Sequence, residues 1–144
     1  MTNLTHRLTR NPIHTTVRLT LAAIWFYLAI VPKFIFPENV EMDIMRASGM
    51  FPGLEREMFL VLGAVEFTLG CLMLFAWNRR FPWLLNVLFL LFITAVSVYS
   101  LPSVFTEPFN PMTLGVPMIA LSAIGCWSTD LDTADAPNRE TATA

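Results

Sequence analysis

The sequence predicts an all-α integral membrane protein: a four-helix bundle with antiparallel neighbours and a short extra helix in an outer loop. Three observations predict it. Of 144 residues, 55% are hydrophobic and only 14% charged, against roughly 25% charged in an ordinary soluble domain. Mean hydropathy is +0.57. Four apolar runs approach the ~20 residues that a helix needs to cross the hydrocarbon core, and the little polar sequence left could not form a wet shell around them.

Residues 1–16 form a polar, basic N-terminal segment. The apolar run behind it is too long for a signal-peptide core and lacks a small-residue cleavage site, so it is expected to stay as the first span, 17–36. Asn11-Pro12 has the character of an N-cap and first helical residue, which starts that helix before the lipid. In the outer loop, 37–57, the stretch 38–47 is helix-compatible, with Gly49 as its stop and Pro52-Gly53 as a turn. Val40, Ile44 and Ala47 share one face of it, with Met45 beside them, so this short helix lies on the outer surface or caps the bundle.

The second span is 58–77. The Asn78-Arg79-Arg80 connection is so short that the second and third helices must be antiparallel neighbours. The third span, 81–101, lies inside a charge-free stretch. The fourth, 111–127, follows Asn110 as N-cap. Pro117 inside it removes a backbone donor and predicts a kink, which neighbours in a membrane compensate. Residues 128–144 are polar and are expected to be a disordered tail.

Of the nine basic residues, Arg7, Arg10, Arg18, Arg79, Arg80 and Arg139 fall on one side of the predicted membrane, and Lys33, Arg46 and Arg56 on the other. The positive-inside rule then puts both termini in the cytoplasm. Trp77, Phe81 and Trp83 flank the cytoplasmic turn and Trp127 ends the fourth span, as interface aromatics do.

A net charge of −2 leaves no electrostatic footprint for nucleic acid. No Gly-rich phosphate loop and no solenoid repeat is present. Cys71 and Cys126 are isolated in apolar runs, which argues against a thiol relay and against zinc. They read as small apolar residues. His6 and His14 lie outside the spans without metal spacing and read as solvated, so no metal site is expected.

One residue breaks the pattern. Between Met58 and Asn78 the only charge is Glu66, eight residues from the outer end of its span and eleven from the inner end. At 1.5 Å per residue it lies about 12 Å and about 16 Å from the two ends. An unpaired carboxylate there costs at least ~2.5 kcal/mol, so Glu66 must be neutralised, paired or wetted. Gly63 and Gly70 flank it on one helix face, with Leu62 and Leu69 beside them. Small residues admit a neighbouring backbone, so this face is expected to point into the bundle.

Lys33 is the best charged partner, offset from Glu66 along the membrane normal by ~7.5 Å from the helical rise. Tyr27 and Trp25 bring further donors at mid-depth of the first span. Thr94 and Ser97 lie in the outer half of the third span, and Asn110 caps the fourth at the outer face. These groups could converge on one pocket. Each also has a plainer role: snorkelling for Lys33, packing for Tyr27 and Trp25, bonding to its own helix for Thr94 and Ser97, capping for Asn110, and a register-fixing ion pair for Glu66.

The same residues carry a resemblance. Trp25 through the Val-Pro-Lys ending at Lys33, then Gly63-x-x-Glu66-x-x-x-Gly70, then Pro108-Phe109-Asn110-Pro111 resemble the DoxX-like family of small four-helix membrane proteins, over roughly 17–127. The resemblance implies a bacterial inner-membrane bundle. Namesakes of the family are subunits associated with thiosulfate:quinone oxidoreductases, so it also implies a quinone-linked redox partner protein. The sequence itself offers no redox cofactor ligands, neither paired intramembrane His nor a Cys cluster. Redox chemistry would therefore need a bound quinone or a partner holding the cofactor.

The sequence names no reaction, and whether the chain is an enzyme stays open. Three roles remain: an accessory subunit binding a quinone or membrane lipid, a structural or assembly subunit without ligand, and a small proton-coupled carrier. A homo-oligomer is compatible with each.

Overall fold

The computed structural model describes residues 12–76, 80–106 and 110–134. Five α-helices account for most of them: α1 (Pro12–Ile30), α2 (Val40–Ser48), α3 (Glu55–Phe75), α4 (Phe81–Ser100) and α5 (Pro111–Ala134). A π-helical turn, Val31–Ile35, extends α1, and a 3-10 turn, Pro102–Thr106, follows α4. Four helices are long and apolar enough to cross a membrane. The chain is a multi-pass membrane protein.

The π turn has a local cause. Pro32 has no N–H to give and its ring crowds the preceding turn. The ladder widens, and Phe36 N–H donates to Val31 O at 3.0 Å. The α2 helix is short and capped at both ends. Asn39 Oδ1 accepts from the backbone N–H groups of Glu41 and Met42, which satisfies two otherwise orphan donors. Gly49 closes the helix at φ 60°, a left-handed conformation open to glycine without a Cβ penalty. Exposed Glu38 and Arg46 bracket α2 through two hydrogen bonds. The hydrogen bond from Arg46 holds the Glu38 carboxyl below its usual value.

Helix α1 packs against α3 and α5, and α4 packs against α5. Lipid tails are as apolar as leucine, so packing rather than water exclusion holds spans together. Glycines set the approach. A Cβ on Gly63 would sit 3.3 Å from Ala29 O and 2.9 Å from Lys33 Cγ, and one on Gly70 would sit 2.7 Å from the Phe26 ring. Leu21, Trp25, Met73, Trp83 and Met118 are buried in one cluster that joins the four long helices.

Antiparallel α3 and α4 touch sparingly, and α2 packs against both of them. Ile44 and Met42 are buried on α2, while Val40 and Ala47 stay exposed. Burial therefore follows a wedge with two flanks rather than the single Val40–Ile44–Ala47 face.

Three expectations about the opposite end change. His14 is buried, not solvated. Its ring meets Trp83 edge-on at 5.7 Å, and its Nε2 lies 3.3 Å from Thr129 Oγ1. Trp83 and Arg18 are buried as well. The Trp83 ring lies under the Arg18 guanidinium, 5.3 Å away, and Arg18 donates to Leu72 O. The expected tail is helical to Ala134, because Ser128 and Thr129 bond Gly125 O and Thr129 also accepts from Trp83 Nε1. Residues 135–144, His6, the Asn11 cap and the Trp77-Asn78-Arg79 turn lie outside the described residues. Helix α5 runs unbroken through Pro117.

In the core, Trp25 Nε1 donates to Asn86 Oδ1 at 2.6 Å, and Asn86 Nδ2 donates to Ser122 Oγ. This line ties α1, α4 and α5. Asn86→Leu would leave the indole N–H buried and unpaired, so we expect a loss of about 1–3 kcal/mol, read as a lower unfolding midpoint in detergent. An unchanged midpoint would show that the line is not structural.

Candidate functional site

The site is built around Lys33, which the π turn directs into the bundle. Its side chain is 0% exposed. Nζ donates to Glu66 Oε1 at 3.4 Å and lies 3.3 Å from Glu66 Oε2. It also donates to Glu41 Oε2 on α2, and it sits 4.3 Å from the centre of the buried Phe59 ring, a favourable cation–π placement. Glu66 is itself only 5% exposed. One ammonium thus joins α1, α2 and α3. A buried cation without such partners would be prohibitively costly.

Beside this triad lies a cavity of 790 Å³ between α3 and α4, roofed by α2 and closed at one end by the start of α5. Glu66, Glu41, Ser97 and Asn110 contribute polar groups to a wall that is otherwise mostly apolar, with Leu62 and Ile93 among its members. Val61, Val65 and Phe92 line it and are exposed. On membrane-spanning helices such residues face lipid, so the mouth opens sideways into the bilayer. The volume falls within the range of about 300–1,000 Å³ typical of small-molecule pockets.

The structure brings together only some of the residues singled out in the sequence. Lys33 and Glu66 are in contact, and Gly63 makes room for Lys33. Asn110 lies on the cavity wall and caps α5, its Oδ1 accepting from the N–H groups of Met112 and Thr113. Ser97 is on the wall too. Thr94 is half-buried near Gly115 and does not line the cavity. Tyr27 is 59% exposed, on the outside of α1. Trp25 faces Asn86 in the core, away from the cavity.

Sequence reasoning missed Glu41 in the site and Asn86 in the core. Glu41 had a signal: its spacing to Ile44, Met45 and Ser48 puts a carboxylate on an apolar helix face. Asn86 had one as well, being the only amide in an apolar span, a position where polar side chains pair across helices.

A model of the DoxX-like family matches residues 22–123. The chain belongs to the DoxX-like family. The match spans both Lys33 and Glu66 and ends inside α5. No curated protein and no solved structure shows a significant match to this DoxX-like protein.

Proposed function

We propose that this DoxX-like protein is an accessory subunit of the bacterial inner membrane, with both termini cytoplasmic. It takes a quinone-like or lipid-like amphiphile from the bilayer and serves a membrane redox partner. The observation that carries this reading is the 790 Å³ laterally open cavity with the buried Glu66 on its wall. An apolar body fits between α3 and α4, and its polar end reaches the carboxylates under α2.

The test is binding of a short-chain quinone and its quinol to purified protein in detergent, together with Val65→Trp, which plugs the mouth from its exposed rim. We expect saturable binding and at least a tenfold loss in the variant. Binding of neither form, or equal affinity in both proteins, would overturn the reading.

One observation favours a second, purely structural role: Lys33 already has two carboxylate partners inside the fold. On that reading Glu66→Gln changes the unfolding midpoint, and the wild type shows no saturable binding at all.

A further inference from the structure

From the hydrogen-bonding inventory of the cavity wall we infer that its ligand is a hydrogen-bond donor: an amphiphile whose polar end carries O–H groups, bound in preference to one that offers only carbonyl or ether oxygens. This rests on the ligand-binding reading above and sharpens it, because it separates a quinol from its own quinone.

The argument is a count of donors and acceptors. The Lys33 ammonium is the strongest donor nearby, but it is directed at Glu41, Glu66 and the Phe59 ring, is fully buried and does not line the cavity. The wall hydroxyls are committed as donors to their own backbone. Ser97 donates to Ile93 O at 2.8 Å, Thr113 to Asn110 O at 2.7 Å and Ser48 to Met45 O at 2.7 Å. Asn110 gives one of its two amide N–H groups to Phe105 O at 3.4 Å. A hydroxyl has one hydrogen and two lone pairs, so a committed hydroxyl still accepts.

An ionised carboxylate accepts only. Glu66 Oε2 is buried and accepts no hydrogen bond among the described residues, although it lies at ion-pair distance from Lys33. Two carboxylates share one ammonium, which leaves this end of the cavity electron-rich. A ligand O–H meets the carboxylates on this wall, of which Glu41 is 35% exposed. A quinone carbonyl meets lone pairs, and its own desolvation goes uncompensated. Sites built to bond a hydroxyl reject analogues that lack it far more strongly than apolar pockets reject a missing methylene.

The experiment compares four probes with the same decyl tail: a quinol, its quinone, its dimethyl ether and a simple aliphatic alcohol. We expect the quinol to bind at least tenfold tighter than the quinone and the ether. A tenfold preference for the reduced form raises the midpoint potential of the bound two-electron couple by about 30 mV, which redox titration reads independently. An alcohol as tight as the quinol would identify the source as a hydroxylated lipid, and one much weaker would identify a ring; both agree with the inference.

Glu66→Gln keeps Lys33 paired with Glu41 and adds an N–H donor to the wall, so it should reduce the quinol preference at least fivefold. Quinone binding as tight as quinol in the wild type, or a preference unchanged in Glu66→Gln, would overturn the inference while leaving the cavity a ligand site. Binding of no probe overturns the ligand reading itself and the inference with it.

Discussion

The Lys33→Met variant loses about 3–5 kcal/mol of stability, the range expected when one partner is removed from a buried ion pair. Methionine fills much of the same volume, so the effect isolates the charge. Without the ammonium, Glu66 stays buried at mid-depth beside Glu41, which is 35% exposed. The two carboxylates that converged on one nitrogen then face each other, and Glu66 has no way to reach water without moving α3. The ion pair between α1 and α2 is lost by the same change.

The measurement is unfolding in detergent by circular dichroism. The double variant Lys33→Met with Glu66→Gln should recover a substantial part of the loss, since it removes the orphaned charge along with its cation. A single variant as stable as the wild type would mean that the triad contributes nothing to the fold. A double variant no better than the single one would mean that methionine fails for steric reasons. The cycle also bears on function, because Glu41 and Glu66 line the polar end of the cavity.

Gly125→Ala should cost about 1–3 kcal/mol, the usual penalty of overpacking. A Cβ there would sit 2.4 Å from two atoms of the Trp83 ring. Trp83 cannot simply step aside. Its ring lies against His14 and under Arg18, and its Nε1 donates to Thr129. Moving the indole disturbs contacts with both α1 and α5. The control lies on the same helix: at Gly115 the nearest atom to an added Cβ is Thr94 Oγ1 at 3.9 Å, an ordinary contact. Alanine is a better helix former than glycine by roughly 0.5–1 kcal/mol, so Gly115→Ala should be neutral or stabilising. Opposite signs at the two glycines, read from unfolding midpoints, would confirm that Gly125 is a close-packing site. Equal effects would show that only helix propensity is at work.

The four apolar spans were legible from local sequence alone, although α5 continues to Ala134, into the expected polar tail. Span lengths follow from the thickness of the hydrocarbon core, and the end of α2 follows from Gly49. Glu66 stood out because a lone carboxylate in an apolar run has few acceptable fates. Lys33 followed from reach along the membrane normal, which rise per residue supplies. Which way a side chain points around its helix was harder. The apolar runs show little amphipathic contrast, because lipid and core are both apolar. Tyr27 was therefore indistinguishable from Trp25 as a pocket residue, while His14 looked solvated, Arg18 like a charge on the cytoplasmic side and Trp83 like an interface aromatic.

What the sequence determined by itself is the class of protein: four membrane spans, a short loop helix ending at Gly49 and one intramembrane acid that needed a partner. What only the tertiary structure decided is the set of groups that meet. The π turn at Pro32 brings Lys33 inward, α2 wedges between α3 and α4 and delivers Glu41, and the space left beside it becomes the cavity. The physical reason is that local sequence specifies a helix and its depth in the membrane. Rotation about its axis, and the gaps between helices, come from close contacts among residues far apart in the chain.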